Sequence, residues 1–425
     1  MQRLSRRLCI GLLFAVASRA QTPAPPRALT WQETEDRFRA NNPTLLAGKV
    51  TIDQARAEEI TAYLRPNPDF TLTTDGTQIY PSEGVWRPFA GTLYIPNLSY
   101  LHERRHKREL RLESARDATA VAVSSQADLE RNLVFNLRDA FVRVLLSKTV
   151  RQIAQENLSY YDKEIDINRL RYQAGATAKV EFQRLELQRV QFESDLASSE
   201  VNLRTAKIDL LQFLQDRTPV EQFDVSEPFE YQEPAVTLAQ LRTLAVQTRP
   251  DLEEAGQALE KARTDYRLAI ANGSTDPTFS GWLTHNGSFN NPAAFNTLGA
   301  SISIPLRIFD RNQGEKLRTQ LDIGRNEKLR AAAETSVLHD VDSAYATLQN
   351  TLRLLHPYKD KYLKEAGDVR ETVSYSYQHG AASLLDFLDA QKSYRDTQLS
   401  YLNLVGAYLS AANQVNFAVG REVIR

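Results

Sequence analysis

The sequence contains one cysteine, Cys9, so it lacks the pairs of thiols that disulfides and cysteine-ligated metals require. Its charges nearly cancel, with 52 Lys and Arg residues against 53 Asp and Glu residues, so no basic excess favours nucleic-acid binding. Glycine and proline are scarce, at 17 each in 425 residues. This scarcity favours long helices over a loop-rich fold.

Catalytic motifs are also missing. The sequence has no His-Glu-x-x-His, Gly-x-Ser-x-Gly or Walker pattern, which argues against an enzyme and against a cofactor site. His102 and His106 are four residues apart, a helical spacing that can chelate a metal, but Arg104 and Arg105 beside them would repel a cation. We therefore predict no metal site. The basic cluster 104–108 is either a solvated helix start or a contact with anionic lipid.

No apolar run is long enough to span a bilayer as a helix. A short apolar run at residues 8–17 follows Arg3, Arg6 and Arg7 and precedes Ser18-Arg19-Ala20. This is the layout of a secretory signal peptide, which we place at residues 1–20. Cleavage there would export the protein and remove Cys9, and the position of Cys9 inside the apolar run argues against lipidation.

What the sequence does contain is a duplication. Matching residues recur 205 to 209 positions later, as in Thr30 and Thr237, Asn42-Pro43 and Arg249-Pro250, Ile95-Pro96 and Ile304-Pro305, and Tyr172 and Tyr377. We therefore predict two structural repeats, 21–216 and 237–425, joined by a proline-containing connector at 217–236. Long repeat periods indicate units that complete one another's surface.

Each repeat has the same predicted parts. A capping box, Thr30 with Glu33 or Thr237 with Gln240, opens one helix that runs to about Arg65 or Ala271. Two strands follow in each repeat, at about 69–80 and 90–97 in the first and at about 277–288 and 297–306 in the second. A long helix hairpin comes next, at about 101–216 in the first repeat and 313–419 in the second. Pro357 should interrupt the second long helix. The fold class is mainly α with a small β part.

The strand at 297–306 alternates apolar residues with Gly299, Ser301 and Ser303. This pattern fits either a soluble hairpin or a membrane strand with one face to lipid. Four strands cannot close a membrane barrel, since open edges in lipid leave backbone groups unpaired. A symmetric trimer would supply twelve strands.

The repeated order of elements, together with Tyr377-x-x-Gly380 and the segment 384–390, resembles the TolC-like outer-membrane efflux family. The segment 303–314, with Pro305, Arg311, Asn312 and Gly314, is similar to the strand-exit motif of its heavy-metal-type branch. The resemblance implies a homotrimer with a 12-stranded barrel in outer-membrane lipid and a helical barrel in the periplasm. It also implies a passive channel that works with a periplasmic adaptor and an inner-membrane RND pump.

The resemblance places a periplasmic gate at the helix tips, formed by Asp386, Asp389, Tyr377 and Glu181. Asp386 and Asp389 share one helix face and would form a ring of carboxylates that filters cations. Asp386 has an alternative role, because Ser383-x-x-Asp386 is also a capping box. Glu181 matches Asp386 in the first repeat and is the expected hydrogen-bond partner of Tyr377, whereas Arg184 replaces Asp389.

The turns at Gly175 and Gly380 are the expected adaptor contacts. Metal ions, drugs and small organic molecules remain open as cargo, and a duct for drug efflux or type I secretion is the alternative function. A periplasmic adaptor would carry one helical hairpin beside a lipoyl-like domain, rather than two copies. A coiled-coil structural protein would keep a strict heptad and would not need the alternation at 297–305.

Overall fold

The computed structural model describes residues 28–81, 83–286 and 296–424. The two repeats carry corresponding elements in the same order, except that the long helix is interrupted in the second repeat. The first contains β1 (Ala28–Leu29), α1 (Trp31–Asn41), α2 (Pro43–Tyr63), β2 (Asp69–Asp75), β3 (Leu93–Leu101), α3 (Lys107–Gln173) and α4 (Lys179–Leu214). After β4 (Asp224–Val225) come α5 (Leu238–Thr248), α6 (Pro250–Asn272), β5 (Thr278–Asn286), β6 (Asn296–Ser303), α7 (Gln313–Pro357), α8 (Leu363–Gln378) and α9 (Leu384–Val419). The predicted signal at residues 1–20 lies outside the described residues.

The opening helix of each repeat is two helices, so the prediction of one continuous helix was wrong. Both predicted capping boxes are present, but α1 ends at Asn41 and α2 begins at Pro43. Proline has no N–H and disfavours helical geometry in the preceding residue. Asn42 is accordingly extended, and its side chain caps α2 by accepting from the Thr44 and Leu45 N–H groups at 3.0 and 3.2 Å. Pro250 imposes the same break on the second repeat.

The four longer strands form one antiparallel sheet in the order β2-β3-β5-β6. The central pair joins the repeats, because Leu101 of β3 lies opposite Thr278 of β5. β2 and β6 end earlier than the sequence pattern suggests, at Asp75 and Ser303, whereas β3 begins and ends later than the predicted 90–97, at Leu93 and Leu101. Ile95-Pro96 therefore lies inside β3 while Ile304-Pro305 follows β6, so this sequence match is not a structural match.

The pairing registers separate the sheet into two chemically different faces. One face is largely apolar and carries Phe70, Leu72, Leu98, Phe279, Leu283, Leu298 and Ile302. The other is largely polar and carries Thr71, Thr73, Asn97, Ser99, Ser280, Thr284, Ser301 and Ser303. The described part of the chain leaves the apolar face uncovered, with Leu298 81% exposed. An exposed apolar surface of this kind indicates contact with lipid or another chain.

The long helices extend away from the sheet. α3 has 67 residues and is therefore about 100 Å long. It pairs with α4, and the second hairpin repeats this with α7, α8 and α9. Pro357 interrupts the second long helix as predicted, because a π-helical segment, Tyr358–Tyr362, separates α7 from α8.

Within the residues that the structure describes, three apolar cores hold the helices together. One belongs mainly to the first repeat and includes Phe38 and Phe141, and the second belongs to the second repeat and includes Leu348 and Tyr408. The third lies at the helix tips and combines side chains of both repeats. Among the described residues, no helix combines the length and apolarity that a membrane span requires.

Candidate gate at the helix tips

The turns at the two tips have the same geometry. Gly175 and Gly380 both adopt φ +77°, a left-handed conformation that only glycine enters without strain. The N–H of the following residue donates to a carbonyl five residues earlier, from Ala176 to Arg171 and from Ala381 to Ser376, each at 2.8 Å. This is the helix-terminating geometry expected of a C-terminal glycine. The proposed adaptor contact at these turns stays a prediction.

Stacked aromatic rings join the return helix to the long helix at each tip. Tyr172 stacks on Phe182 in the first repeat with a ring separation of 5.5 Å, and Tyr377 stacks on Phe387 in the second at 5.0 Å. Tyr161 of α3 is fully buried near Phe387, which brings the two repeats into one core. The duplicated sequence therefore produces a duplicated tip.

Tyr377 is 6% exposed and lies at the contact between the repeats. Arg171 donates to its backbone carbonyl at 3.1 Å. Burial raises the pKa of the Tyr377 hydroxyl above its usual value, and the nearby Glu181 carboxylate adds to the increase. The structure thus brings Tyr377 and Glu181 together, but within the described part of the single chain no hydrogen bond joins them.

Asp386 and Asp389 differ in their local roles. The Ser383 hydroxyl and N–H donate to the Asp386 carboxylate at 2.6 and 3.0 Å, and the Asp386 N–H donates back to the Ser383 hydroxyl at 3.2 Å. These bonds complete the capping box and hold the pKa of Asp386 below its usual value. Asp389 and its first-repeat counterpart Arg184 are exposed and make no hydrogen bond or ion pair with the described residues. Capping therefore explains Asp386 and leaves Asp389 available for another role.

The duplicated architecture matches that of a known protein family. The model of the outer membrane efflux protein family matches residues 36–214 and 241–421, one segment in each repeat. The chain belongs to the outer membrane efflux protein family. The protein is therefore located in the outer membrane with its helical part in the periplasm, and it serves efflux rather than catalysis.

Individual relatives extend this assignment. The efflux protein is 22% identical to the cobalt-zinc-cadmium resistance protein CzcC of Cupriavidus metallidurans over 96% of both chains. It is 25% identical to the pyoverdine export outer membrane protein OpmQ of Pseudomonas putida, over 88% of this chain and 82% of the relative. The solved structure of CusC has the same fold, with a TM-score of 0.77, 17% identity and 99% of each chain covered. The likeness to CzcC over nearly the whole of both chains confirms the resemblance to the heavy-metal-type branch.

The strand-exit motif lies where the sheet of the efflux protein meets the helices, far along the chain from the tips. Asn312, in a left-handed conformation, precedes α7 and donates to the Ala269 carbonyl at 2.8 Å. The Arg311 side chain donates to the Arg307 carbonyl at 3.3 Å, Pro305 follows β6, and Gly314 is in the first turn of α7. The motif connects β6 to α7 and is not part of the gate.

The basic cluster at 104–108 makes the corresponding connection in the first repeat, between β3 and α3. Lys107 is 4% exposed and paired with Asp276, while Arg104 donates to the Thr275 carbonyl. The expectation that His102 and His106 share a helix face was wrong, because α3 begins only at Lys107. No cluster of metal-binding side chains is found among the residues that the structure describes.

Sequence reasoning missed the polar contacts between the repeats, and one of them, near the candidate gate, involves Glu164. Glu164 of α3 is 6% exposed, and the Gln378 side chain of α8 donates to its carboxylate at 3.0 and 3.3 Å. The sequence signal was available, because Tyr161, Ile165 and Asn168 share the buried helix face with Glu164. A carboxylate within an otherwise buried stripe marks a polar contact inside the packed tips.

Proposed function

We propose that this efflux protein is the passive outer-membrane exit duct of a tripartite efflux system and that it conducts divalent metal cations. The observation that carries the proposal is the likeness to a cobalt-zinc-cadmium resistance protein over 96% of both chains. The likeness runs through both repeats and both tips. In this proposal an inner-membrane RND pump supplies the energy, and a periplasmic adaptor contacts the turns at Gly175 and Gly380.

The sheet supports assembly as a homotrimer. β2 and β6 are its edge strands, and each pairs on one side only within the described chain. Open strand edges are excluded from lipid because their backbone groups would lack hydrogen bonds. Three copies would join these edges into twelve strands, with the apolar face toward outer-membrane lipid and the polar face lining the duct.

The tips support a gate. In a trimer the three copies of Asp389, next to Asp386, would surround the axis with carboxylates that attract divalent cations. The Glu181 carboxylate is near enough to Tyr377 to raise the pKa of its hydroxyl, which makes Glu181 the candidate acceptor for a hydrogen bond from that hydroxyl. We propose that this bond holds the tips closed.

The proposal is tested by deleting the gene in the bacterium that carries it and measuring growth in cobalt, zinc and cadmium salts. We expect the deletion to lower the tolerated metal concentration and the wild-type gene to restore it. Heat-resistant trimers in outer-membrane extracts would support the assembly independently. Unchanged metal tolerance in a strain that normally makes the trimer would contradict the metal cargo while leaving the duct intact.

Export of a small organic molecule is the second candidate, favoured by the likeness to a pyoverdine exporter over 88% of this chain. The same deletion strain discriminates the two. Loss of tolerance to drugs or loss of a secreted organic product, with metal tolerance unchanged, would favour this candidate or a secretion duct.

A further inference from the structure

One feature of the molecule lies outside both the sheet and the helix tips. A cavity of about 480 Å³ lies between α1, the middle of α3 and the C-terminal end of α9. Its lining includes Trp31, Phe135, Arg138, Phe417 and Ile424. Phe417 and Asp386 are 31 residues apart on α9, so the cavity is about 45 Å from the tips. Sites for small molecules typically measure roughly 300–1,000 Å³.

Most polar groups of the cavity wall already have partners. The pairs are Arg39 with Glu35 and Glu130, Arg131 with Asp128 and the Phe417 carbonyl, and Asn413 with Asp139 and the Phe135 carbonyl. Asn416 bonds the backbone of Val423 and Ile424. These side chains therefore already have hydrogen-bond or ion-pair partners and do not require a ligand.

Arg138 is the exception. Its Nη1 is buried without a hydrogen-bond partner, and the residue forms no ion pair within the part of the chain that the structure describes. Its guanidinium lies over the Trp31 ring at 4.5 Å. Burial lowers the pKa of Arg138, although the Glu227, Glu422 and Glu35 carboxylates act in the opposite direction. A guanidinium without an acceptor is unfavourable, and Arg138 also lines the cavity, so an acceptor bound there would pair with a group that the described chain leaves unpaired.

We propose that this cavity binds a small organic carboxylate with an apolar body, held by Arg138. A guanidinium binds a carboxylate through two parallel hydrogen bonds, and this geometry suits a planar anion. The aromatic side chains of Trp31, Phe135 and Phe417 supply the apolar wall. Because Glu35 and Glu422 also border the cavity, a ligand with one negative charge is favoured over a multiply charged phosphate.

The test uses the full chain in lipid nanodiscs, with Trp86→Phe and Trp282→Phe so that Trp31 is the remaining tryptophan. Hexanoate is titrated as the probe, and hexanamide serves as the uncharged ligand of the same shape. We expect hexanoate to change the Trp31 fluorescence with saturation and to raise the thermal unfolding midpoint, since a ligand that binds only the folded state stabilises it. Hexanamide should bind at least tenfold more weakly.

Matched arginine variants locate the binding group. Arg138→Gln should weaken hexanoate binding at least tenfold, whereas Arg421→Gln, an exposed arginine on the same cavity, should change it less than twofold. Arg138→Lys keeps the charge and should retain part of the affinity, which guards against a folding defect.

Equal binding of hexanoate and hexanamide would overturn the proposal, as would equal losses in the two Gln variants. Absence of saturable binding would also overturn the proposal, because the cavity would then hold only water. None of these results depends on duct activity, so they leave the proposed efflux function untouched.

Discussion

At the scale of single residues, Tyr377 has three groups whose roles can be tested separately: its ring, its backbone carbonyl and its hydroxyl. Its ring stacks on Phe387 and its carbonyl accepts from Arg171, while its hydroxyl makes no hydrogen bond within the described part of the chain. Tyr377→Phe keeps the first two contacts and removes only the hydroxyl. If the hydroxyl bonds Glu181 in the closed channel, this substitution should raise single-channel conductance severalfold in planar bilayers. Tyr172→Phe, the matching change in the first repeat, is the control, and an unchanged Tyr377→Phe channel would refute the bond.

Asp389 is the second residue whose role can be isolated. It is exposed and without a partner among the described residues, so Asp389→Asn should leave the thermal unfolding midpoint unchanged. Loss of the carboxylate ring should weaken the block of conductance by divalent cations, because the ring's charge would be reduced. Lys392→Gln, another exposed charge on α9, serves as the control. Identical cation block in wild type and Asp389→Asn would remove Asp389 from the gate.

Asp386 predicts a pH dependence of stability. Its pKa lies below the usual value because the Ser383 hydroxyl and N–H donate to its carboxylate. A carboxyl group with a lowered pKa in the folded state stabilises the fold above the unfolded-state pKa of about 3.9. This stabilisation is lost as the pH falls through the lower folded-state pKa. The thermal midpoints of wild type and Asp386→Asn should therefore differ at pH 6 and converge toward pH 2.5. A constant difference would show that ionisation of the cap is unimportant.

At the scale of elements, the tip turns depend on backbone conformation and not on space. A Cβ on Gly380 would meet no atom within 4 Å, yet its φ of +77° is unfavourable for alanine. Gly380→Ala should destabilise the protein by about 1–2 kcal/mol. Gly324→Ala has equal space but lies within helical α7, so it should stabilise by roughly 0.5–1 kcal/mol. Thermal unfolding of both variants tests this difference, and a shift of the same sign in both would contradict it.

Local sequence signals predicted those elements that local chemistry controls. Thr30 and Thr237 cap helices, Gly175 and Gly380 end them, and Pro357 interrupts one. The break at Asn42-Pro43 was equally local, but the apolar pattern that continues across it concealed the proline's effect. The end of β6 at Ser303 could not be read locally, because it is set by where the partner strand β5 begins.

At the scale of the whole molecule, the duplication explains the arrangement of the cores. Each repeat has its own apolar core near the connector, and the tips share a third. The contacts that join the repeats, such as Glu164 with Gln378, pair residues that are not related by the duplication. A repeat pattern in sequence reveals the equivalent positions but not which different positions meet. For this reason the duplication led to the gate prediction at Asp386 and Asp389 but gave no sign of the contact made by Glu164.

The placement of the sheet in the membrane gives the last prediction. Leu283 and Thr284 are neighbours in the middle of β5 but lie on its apolar and polar faces. Lysine on a lipid-facing position near the bilayer midplane costs about 2–4 kcal/mol, whereas a duct-facing position tolerates charge. Leu283→Lys should therefore sharply reduce the amount of heat-resistant trimer in the outer membrane, and Thr284→Lys should assemble almost normally. Because the two substitutions introduce the same charge one residue apart, a general folding defect would affect both alike. Equal assembly of the two variants would mean that the apolar face does not meet lipid, and the twelve-stranded trimer would lose its main physical argument.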